Sequence, residues 1–122
     1  MSISNYAELK ILAHTTGQTA WTAPTTTYVK LHTGDPGEDC TANAATNTSR
    51  QSAAWSAASS GAIAVSAAIT WTNVSTTETY TYWSLWDNST AGNPLWSGAL
   101  SSSAAVTAGD TFQITALTLS LD

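Results

Sequence analysis

The chain has 122 residues, a formal net charge of −5 and only three basic residues, Lys10, Lys30 and Arg50. Three scattered cations cannot form the basic surface that phosphate binding requires, so the composition excludes a nucleic-acid-binding protein. No segment approaches the ~20 apolar residues of a membrane span. The N-terminal sequence lacks the basic start and apolar core of a signal peptide, so we expect synthesis in the cytosol.

Hydroxyl and methyl groups dominate the composition. Charged residues supply 9% of the chain, against about a quarter in an average soluble domain. Ser and Thr contribute 38 residues and Ala another 21. Such a surface carries a small desolvation penalty when it is buried, because few ions must leave water. The composition therefore favours a protein that makes permanent contacts with other chains.

The length predicts one domain over residues 1–122, with a helical segment at 1–17 and a β-sheet region at 18–122. Asn5 and Glu8 have the spacing of a capping box, and Gly17 is placed to end the helix. The apolar residues recur at spacings of three and four, which is the period of one helix face. They are Tyr6, Leu9, Leu12 and Ala13. This face either packs on the domain's own core or docks onto a neighbour.

Thr, Val, Ile, Tyr and Trp dominate after Gly17 and predict short antiparallel strands. We expect strands at residues 25–31, 49–55, 63–71, 78–88 and 94–100, with the last two forming a hairpin. The spacing of the strands predicts a mainly β fold, an antiparallel two-sheet sandwich that is jelly-roll-like or immunoglobulin-like.

The apolar alternation changes phase near Ala116. Phe112 and Ile114 share one parity, whereas Leu117, Leu119 and Leu121 share the other. A one-residue change of phase moves side chains to the opposite face of a sheet. The C-terminal segment therefore contains a bulge, a bend or a strand that moves from one sheet to another.

The six tryptophans most often fill a core or an interface in a small β domain, although aromatic rings also stack on sugars. In the strand at 78–88, alternation places Trp83 and Leu85 on one face and Tyr80, Tyr82 and Trp86 on the other. We expect Trp86, beside Asp87, to face outward and contact another chain. The full set of interface candidates is Trp86, Trp21, Tyr80, Tyr82, Tyr6 and Leu9.

Catalytic chemistry finds no support in the residue pattern. His14 lies in the last turn of the predicted helix, and His32 ends a strand. The sequence contains no G-x-S-x-G motif, the turn that exposes a nucleophilic serine in many hydrolases. The acidic neighbours of Cys40 raise rather than lower the pKa of a thiol. We therefore predict a non-enzymatic protein without a cofactor.

The stretch HTGDPGED raises a metal-site alternative. Asp35, Glu38 and Asp39 are the candidate ligands, with His32 nearby, and carboxylate oxygens bind calcium. The spacing matches no EF-hand loop. Because Pro36 and its flanking glycines are turn formers, the pattern favours a structural turn over an ion site.

Several segments together carry a family resemblance. They are TAPTTTYVKLHTGDPGEDCTAN, SRQSAAW, the ITW strand, YTYWSLWDNSTAGNPLWSGAL and VTAGDTFQI. From Ile3 to about Leu121 the chain resembles a family of small tailed-bacteriophage virion proteins, which includes tail-fibre and minor structural proteins. The resemblance implies a non-enzymatic β-sandwich building block of the particle, made in the host cytoplasm and located in the virion.

Small proteins of this kind commonly decorate capsids. The resemblance therefore implies a cement protein on the outer capsid surface, a homotrimer bound to the major capsid protein. One alternative is a minor tail or fibre-associated subunit that contacts tail proteins. A second alternative is a glycan-binding module that stacks sugars on Trp86 or Trp21.

Overall fold

A computed structural model describes residues 1–121 of the chain. The elements in chain order are β1 (Ser2–Ile3), α1 (Asn5–Thr15), β2 (Thr27–His32), β3 (Gln51–Ala53), β4 (Ala62–Ala64), β5 (Ile69–Trp71), β6 (Glu78–Trp86), β7 (Pro94–Val106), β8 (Phe112–Ile114) and β9 (Thr118–Ser120). Among the described residues, no helix has the length and hydropathy needed to cross a membrane.

The strands form one large antiparallel sheet and two small ones. The five-stranded sheet has the order β1-β7-β6-β2-β3, and the pairs β4-β9 and β5-β8 each make a two-stranded sheet. The mainly β prediction and the hairpin of β6 and β7 are confirmed. The structure shows no jelly-roll topology, so the finer prediction of a two-sheet jelly-roll-like sandwich is not met.

The long strand predicted at 63–71 is interrupted because its middle residues bond to other segments. The Val65 N–H donates to the Leu117 carbonyl at 3.0 Å, and the Ser66 N–H donates to the Ala54 carbonyl at 2.9 Å. The chain therefore leaves β4 before it enters β5. This break divides the second layer into two small sheets.

The predicted change of phase at the C-terminus is confirmed as a move between sheets. Phe112–Ile114 pairs with β5, whereas Thr118–Ser120 pairs with β4. Ile114, Leu117 and Leu119 are each 6% exposed despite their different parity. The residues between β8 and β9 carry the chain from one small sheet to the other, so both strands bury their apolar side chains.

The main core lies between the large sheet and the two small sheets. Val29 and Leu31 of β2 lie opposite Leu85 and Trp83 of β6 in the register. These four side chains are buried together with residues from every layer. Trp71 is 1% exposed, and its indole N–H donates to the Ser49 carbonyl at 2.9 Å, which satisfies its polar atom.

The pairing of β6 with β7 contains a large irregular bulge. Tyr82 lies opposite Ala99 and Tyr80 lies opposite Ala104, so residues 100–103 of β7 face Thr81 alone. A bulge of this kind disturbs the alternation of side chains. Tyr80 is fully buried, with its ring 5.2 Å from that of Phe112. The prediction that Tyr80 shares an outer face with Tyr82 and Trp86 is therefore wrong.

The N-cap of the helix lies one residue earlier than predicted, and the helix begins at Asn5. Ser4, not Asn5, is the N-cap residue: its Oγ accepts a hydrogen bond from the Ala7 N–H at 3.1 Å. The same hydroxyl donates to the Pro94 carbonyl at 2.6 Å, which ties the helix to the start of β7. Gly17 follows the helix with a φ of 76°, a conformation that favours glycine.

We predict that Ser4→Ala lowers the free energy of unfolding by about 1–2 kcal/mol, because an N-cap and a buried hydrogen bond are both lost. The matched control is Asn5→Ala, which removes the exposed side chain expected from the sequence to cap the helix. Urea unfolding followed by circular dichroism measures both variants. Equal stability of Ser4→Ala and the wild type would contradict the assignment of the cap.

Candidate assembly surface

Helix α1 presents two leucines to solvent. Leu9 is 70% exposed and Leu12 is 60% exposed, whereas Ala7 on the inner side is fully buried. Tyr6 is half-buried, and its ring meets that of Trp21 edge-on at 6.3 Å. The apolar helix face is thus divided: Tyr6 packs on its own domain, and the two leucines remain without a partner among the described residues.

Trp86 is buried, contrary to its expected outward position. It is 7% exposed, and its indole N–H donates to the Ser84 Oγ at 2.8 Å. The Arg50 guanidinium lies 4.1 Å from the ring centroid, and the Lys30 ammonium lies 5.8 Å from it. Trp86 does lie on the opposite face from Trp83, as expected, but that face is also covered.

Arg50 holds the β6–β7 turn over Trp86. Its Nη1 donates to the Asn88 carbonyl at 2.8 Å and to the Ala91 carbonyl at 2.7 Å. The guanidinium therefore joins the turn to the ring by hydrogen bonds and by cation–π attraction. This arrangement leaves no open ring face on Trp86 for a sugar to stack on.

A buried polar network connects the covered face to the loop after β2. His32 Nε2 lies 2.7 Å from Ser84 Oγ, and His32 Nδ1 lies 2.9 Å from the Ala42 carbonyl. Since Ser84 Oγ accepts from Trp86, its own proton is available to His32 Nε2. The imidazole is then neutral with its proton on Nδ1. Burial lowers the pKa of His32, with smaller contributions from the positive charges of Lys30 and Arg50.

The acidic loop is a set of turns in which the three candidate ligands bond to different groups. Asp35 Oδ1 accepts from the Gly37 N–H at 2.9 Å, and the Glu38 carboxylate accepts from the Ser2 hydroxyl at 3.2 Å. Asp39 Oδ1 accepts from the backbone and the hydroxyl of Thr41, which lowers the pKa of Asp39. Within residues 1–121, no three His, Cys, Asp or Glu side chains are grouped to hold a metal ion.

Cys40 anchors this loop beneath the surface. It is fully buried, and its Sγ lies 3.7 Å from the Trp96 carbonyl. Burial raises the pKa of Cys40 to about 11, and the charges of Asp39, Glu38 and Asp35 add to the rise. A thiol of this pKa is protonated at neutral pH and is a poor nucleophile.

The remaining interface candidates differ in accessibility. Tyr82 and Trp21 are half-buried. The Trp21 backbone N–H donates to His14 Nδ1 at 3.0 Å, which holds the segment after the helix against α1. Of the six candidates, Leu9 alone has a mostly exposed side chain.

Over residues 2–122 the sequence matches the family described as podophage GP4 fiber I protein gp80. The chain belongs to this family. It is therefore a non-enzymatic structural protein of a bacteriophage fibre and a component of the virion. The family favours the tail alternative over the capsid decoration protein that the resemblance implied. A search of the curated proteins finds no match to this fibre protein.

We predict that Trp86→Ala destabilises the fold of the fibre protein about as much as Trp83→Ala, by ~3–5 kcal/mol each. Both rings are buried, and the loss of Trp86 also releases Arg50 and the Ser84 hydroxyl. Denaturant unfolding followed by circular dichroism measures the change. A Trp86→Ala variant with wild-type stability would show that the ring is not part of the folded interior.

We predict that unfolding free energy falls as the pH decreases from about 6.5 towards the lowered pKa of His32 in the folded state. The unfolded chain binds a proton in this range while buried His32 stays neutral, so acid favours unfolding. The His32→Gln variant is expected to lose the fall in stability between these two pH values. The control variant His14→Gln, which replaces an exposed histidine, is expected to keep it. Urea unfolding across the range tests this.

An unchanged pH slope in His32→Gln would contradict the assignment. If that variant does not fold, the NMR titration of His32 in the wild type gives the same information. A folded-state pKa at or above 6.5 would then overturn the prediction.

Proposed function

We propose that this fibre protein is a tail- or fibre-associated structural subunit that docks onto a neighbouring virion protein through the exposed face of α1. The observation that carries the proposal is the exposure of Leu9 and Leu12, on adjacent turns of the only helix within residues 1–121. Residues three apart on a helix lie side by side, so the two leucines form one apolar patch.

The patch is held in a fixed position. The Ser4 cap joins the start of α1 to Pro94, and the Asn5 N–H donates to the Glu38 carbonyl at 3.4 Å. Ala7, on the first turn of the helix, is fully buried. A preorganised surface loses little conformational entropy on binding, so more of the contact energy becomes affinity.

The chemistry of the patch favours an apolar partner surface. Fully burying a leucine side chain contributes about 1.5–3 kcal/mol. The hydroxyls of Thr15 and Thr16 near the end of the helix already donate to the Ile11 and Leu12 carbonyls, so their desolvation leaves few unpaired donors. The partner is expected to be another protein of the same fibre or tail.

We further propose that residues 1–122 act as one structural unit. The helical segment is bonded to the large sheet through Pro94 and to the loop after β2 through Glu38. Association with copies of itself also remains a prediction. The ratio of this protein to other virion proteins, measured by mass spectrometry, distinguishes a few fibre-associated copies from hundreds of shell copies.

We predict that the double variant Leu9→Gln, Leu12→Gln is lost from purified particles while the protein stays folded. Loss of two buried leucines weakens docking by at least about 100-fold. Leu121→Gln is the matched control, because Leu121 is 58% exposed but lies near the opposite end of the chain. Complementation of a phage that lacks the protein, followed by quantification in particles, makes the measurement. Normal incorporation of the double variant would overturn the proposal.

A further inference from the structure

A cleft lies between β7 and the C-terminal segment at residues 112–118. Its two walls belong to different sheets, since β7 pairs with β6 and β8 pairs with β5. Residues 100–102 of the irregular bulge line the first wall. The volume of the cleft is about 420 Å³, within the range of ~300–1,000 Å³ that is usual for small-molecule sites.

A nearly buried hydrogen-bond donor opens into this cleft. Trp83 is 5% exposed and lines the cleft, and its indole N–H has no hydrogen-bond partner within residues 1–121. The indoles of Trp55, Trp71 and Trp86 each donate to an oxygen of the chain. A buried donor without an acceptor is costly, so the Trp83 N–H favours any ligand that brings an oxygen to it.

Gly98 keeps the indole nitrogen accessible. A Cβ at this position would lie 2.8 Å from Trp83 Cζ2 and 3.2 Å from Trp83 Nε1. Any larger residue would therefore press on the edge of the ring that carries the N–H group. The glycine leaves this edge open towards the cleft.

The polar side chains of the cleft are neutral. No charged side chain lines it, and the polar ones are Ser101, Ser102, Gln113, Thr115 and Thr118. All five are exposed, and their hydroxyls have no hydrogen-bond partner in the part of the chain that the structure describes. Gln113 Nε2 donates to Thr70 Oγ1 at 3.0 Å, which leaves the Gln113 side-chain carbonyl as an acceptor. A hydroxyl both donates and accepts, so the lining suits a ligand that does the same.

The lining disfavours anions and extended peptides. A phosphate or carboxylate normally binds a cationic side chain, which this cleft lacks. A peptide strand that adds to a sheet needs a regular edge. The bulge at residues 100–103 interrupts that edge on β7. Leu100 and Phe112 add half-buried apolar groups beside the hydroxyls.

We propose that this cleft binds a neutral saccharide, with the Trp83 N–H donating to a sugar oxygen. A sugar ring alternates C–H and O–H groups, so it meets both the apolar and the hydroxyl parts of the lining without burying an ion. The site differs from the Trp86 and Trp21 platforms considered from the sequence. The inference does not depend on docking through α1.

A glycan array and an NMR titration test the ligand class. The array carries neutral, sialylated and sulfated oligosaccharides and is probed with the full chain. We expect binding to neutral oligosaccharides, and the best of them to shift the Trp83 indole N–H signal more than the other five indole signals. Absence of binding to every neutral oligosaccharide, or binding to anionic ones only, would overturn the proposal. So would an unmoved Trp83 signal.

A matched pair of tryptophan variants tests the donor. Trp83→Phe keeps an aromatic ring and removes the N–H, and it is expected to weaken saccharide binding about five- to tenfold. Trp96→Phe makes the same change at a half-buried indole of β7 outside the cleft and is expected to bind as the wild type does. Circular dichroism checks that both variants are folded. Equal affinity of the two variants would contradict the role of Trp83.

A second pair of variants tests the rim without changing the core. Ser102→Ala, Thr115→Ala removes two exposed hydroxyls of the cleft and is expected to weaken binding about fivefold. Ser59→Ala, Thr107→Ala removes two exposed hydroxyls elsewhere and should have no effect. Equal affinity of these two variants would place the sugar outside the cleft. The Leu9→Gln, Leu12→Gln variant should bind the saccharide normally, so failure of docking through α1 and failure of this site give different results.

Discussion

The structure depends on the burial of β6 on both faces. One face carries Trp83 and Leu85 into the main core, and the other carries Ser84 and Trp86 under the loop after β2. Polar groups buried on such a strand are usually hydrogen-bonded. On the face that carries Trp86 the partner is Ser84, whose hydroxyl links the indole of Trp86 to His32, whereas the Tyr80 hydroxyl and Thr81 Oγ1 are buried without a partner among the described residues. The neighbouring strands and the loop are therefore fixed by this network.

The small number of charged residues affects the interior of the domain as well as its surface. Two of the three basic side chains, Lys30 and Arg50, lie over the Trp86 ring rather than in open solvent. Arg50 also fastens the turn between β6 and β7 through two carbonyls. The cations thus stabilise the domain internally, and long stretches of its surface remain neutral. A neutral surface is suited to the extensive fixed contacts of a fibre.

The sequence predicted the helix, the β6–β7 hairpin and the change of phase near Ala116, because each depends on local periodicity. It misplaced Tyr80 because the bulge that reverses alternation at Thr81 is created by three extra residues in the partner strand. It missed the burial of Trp86 because the cover comes from Arg50, far away in sequence. The exposure of Leu9 could be proposed from the helix period, but periodicity alone does not say which apolar residues find a partner.

The α1 docking surface is physically connected to the large sheet. Ser4 caps α1 and donates to Pro94, the first residue of β7, and β1 both precedes the helix and pairs with β7. A contact that moves β7 therefore acts on the base of the helix, whose position determines where Leu9 and Leu12 lie.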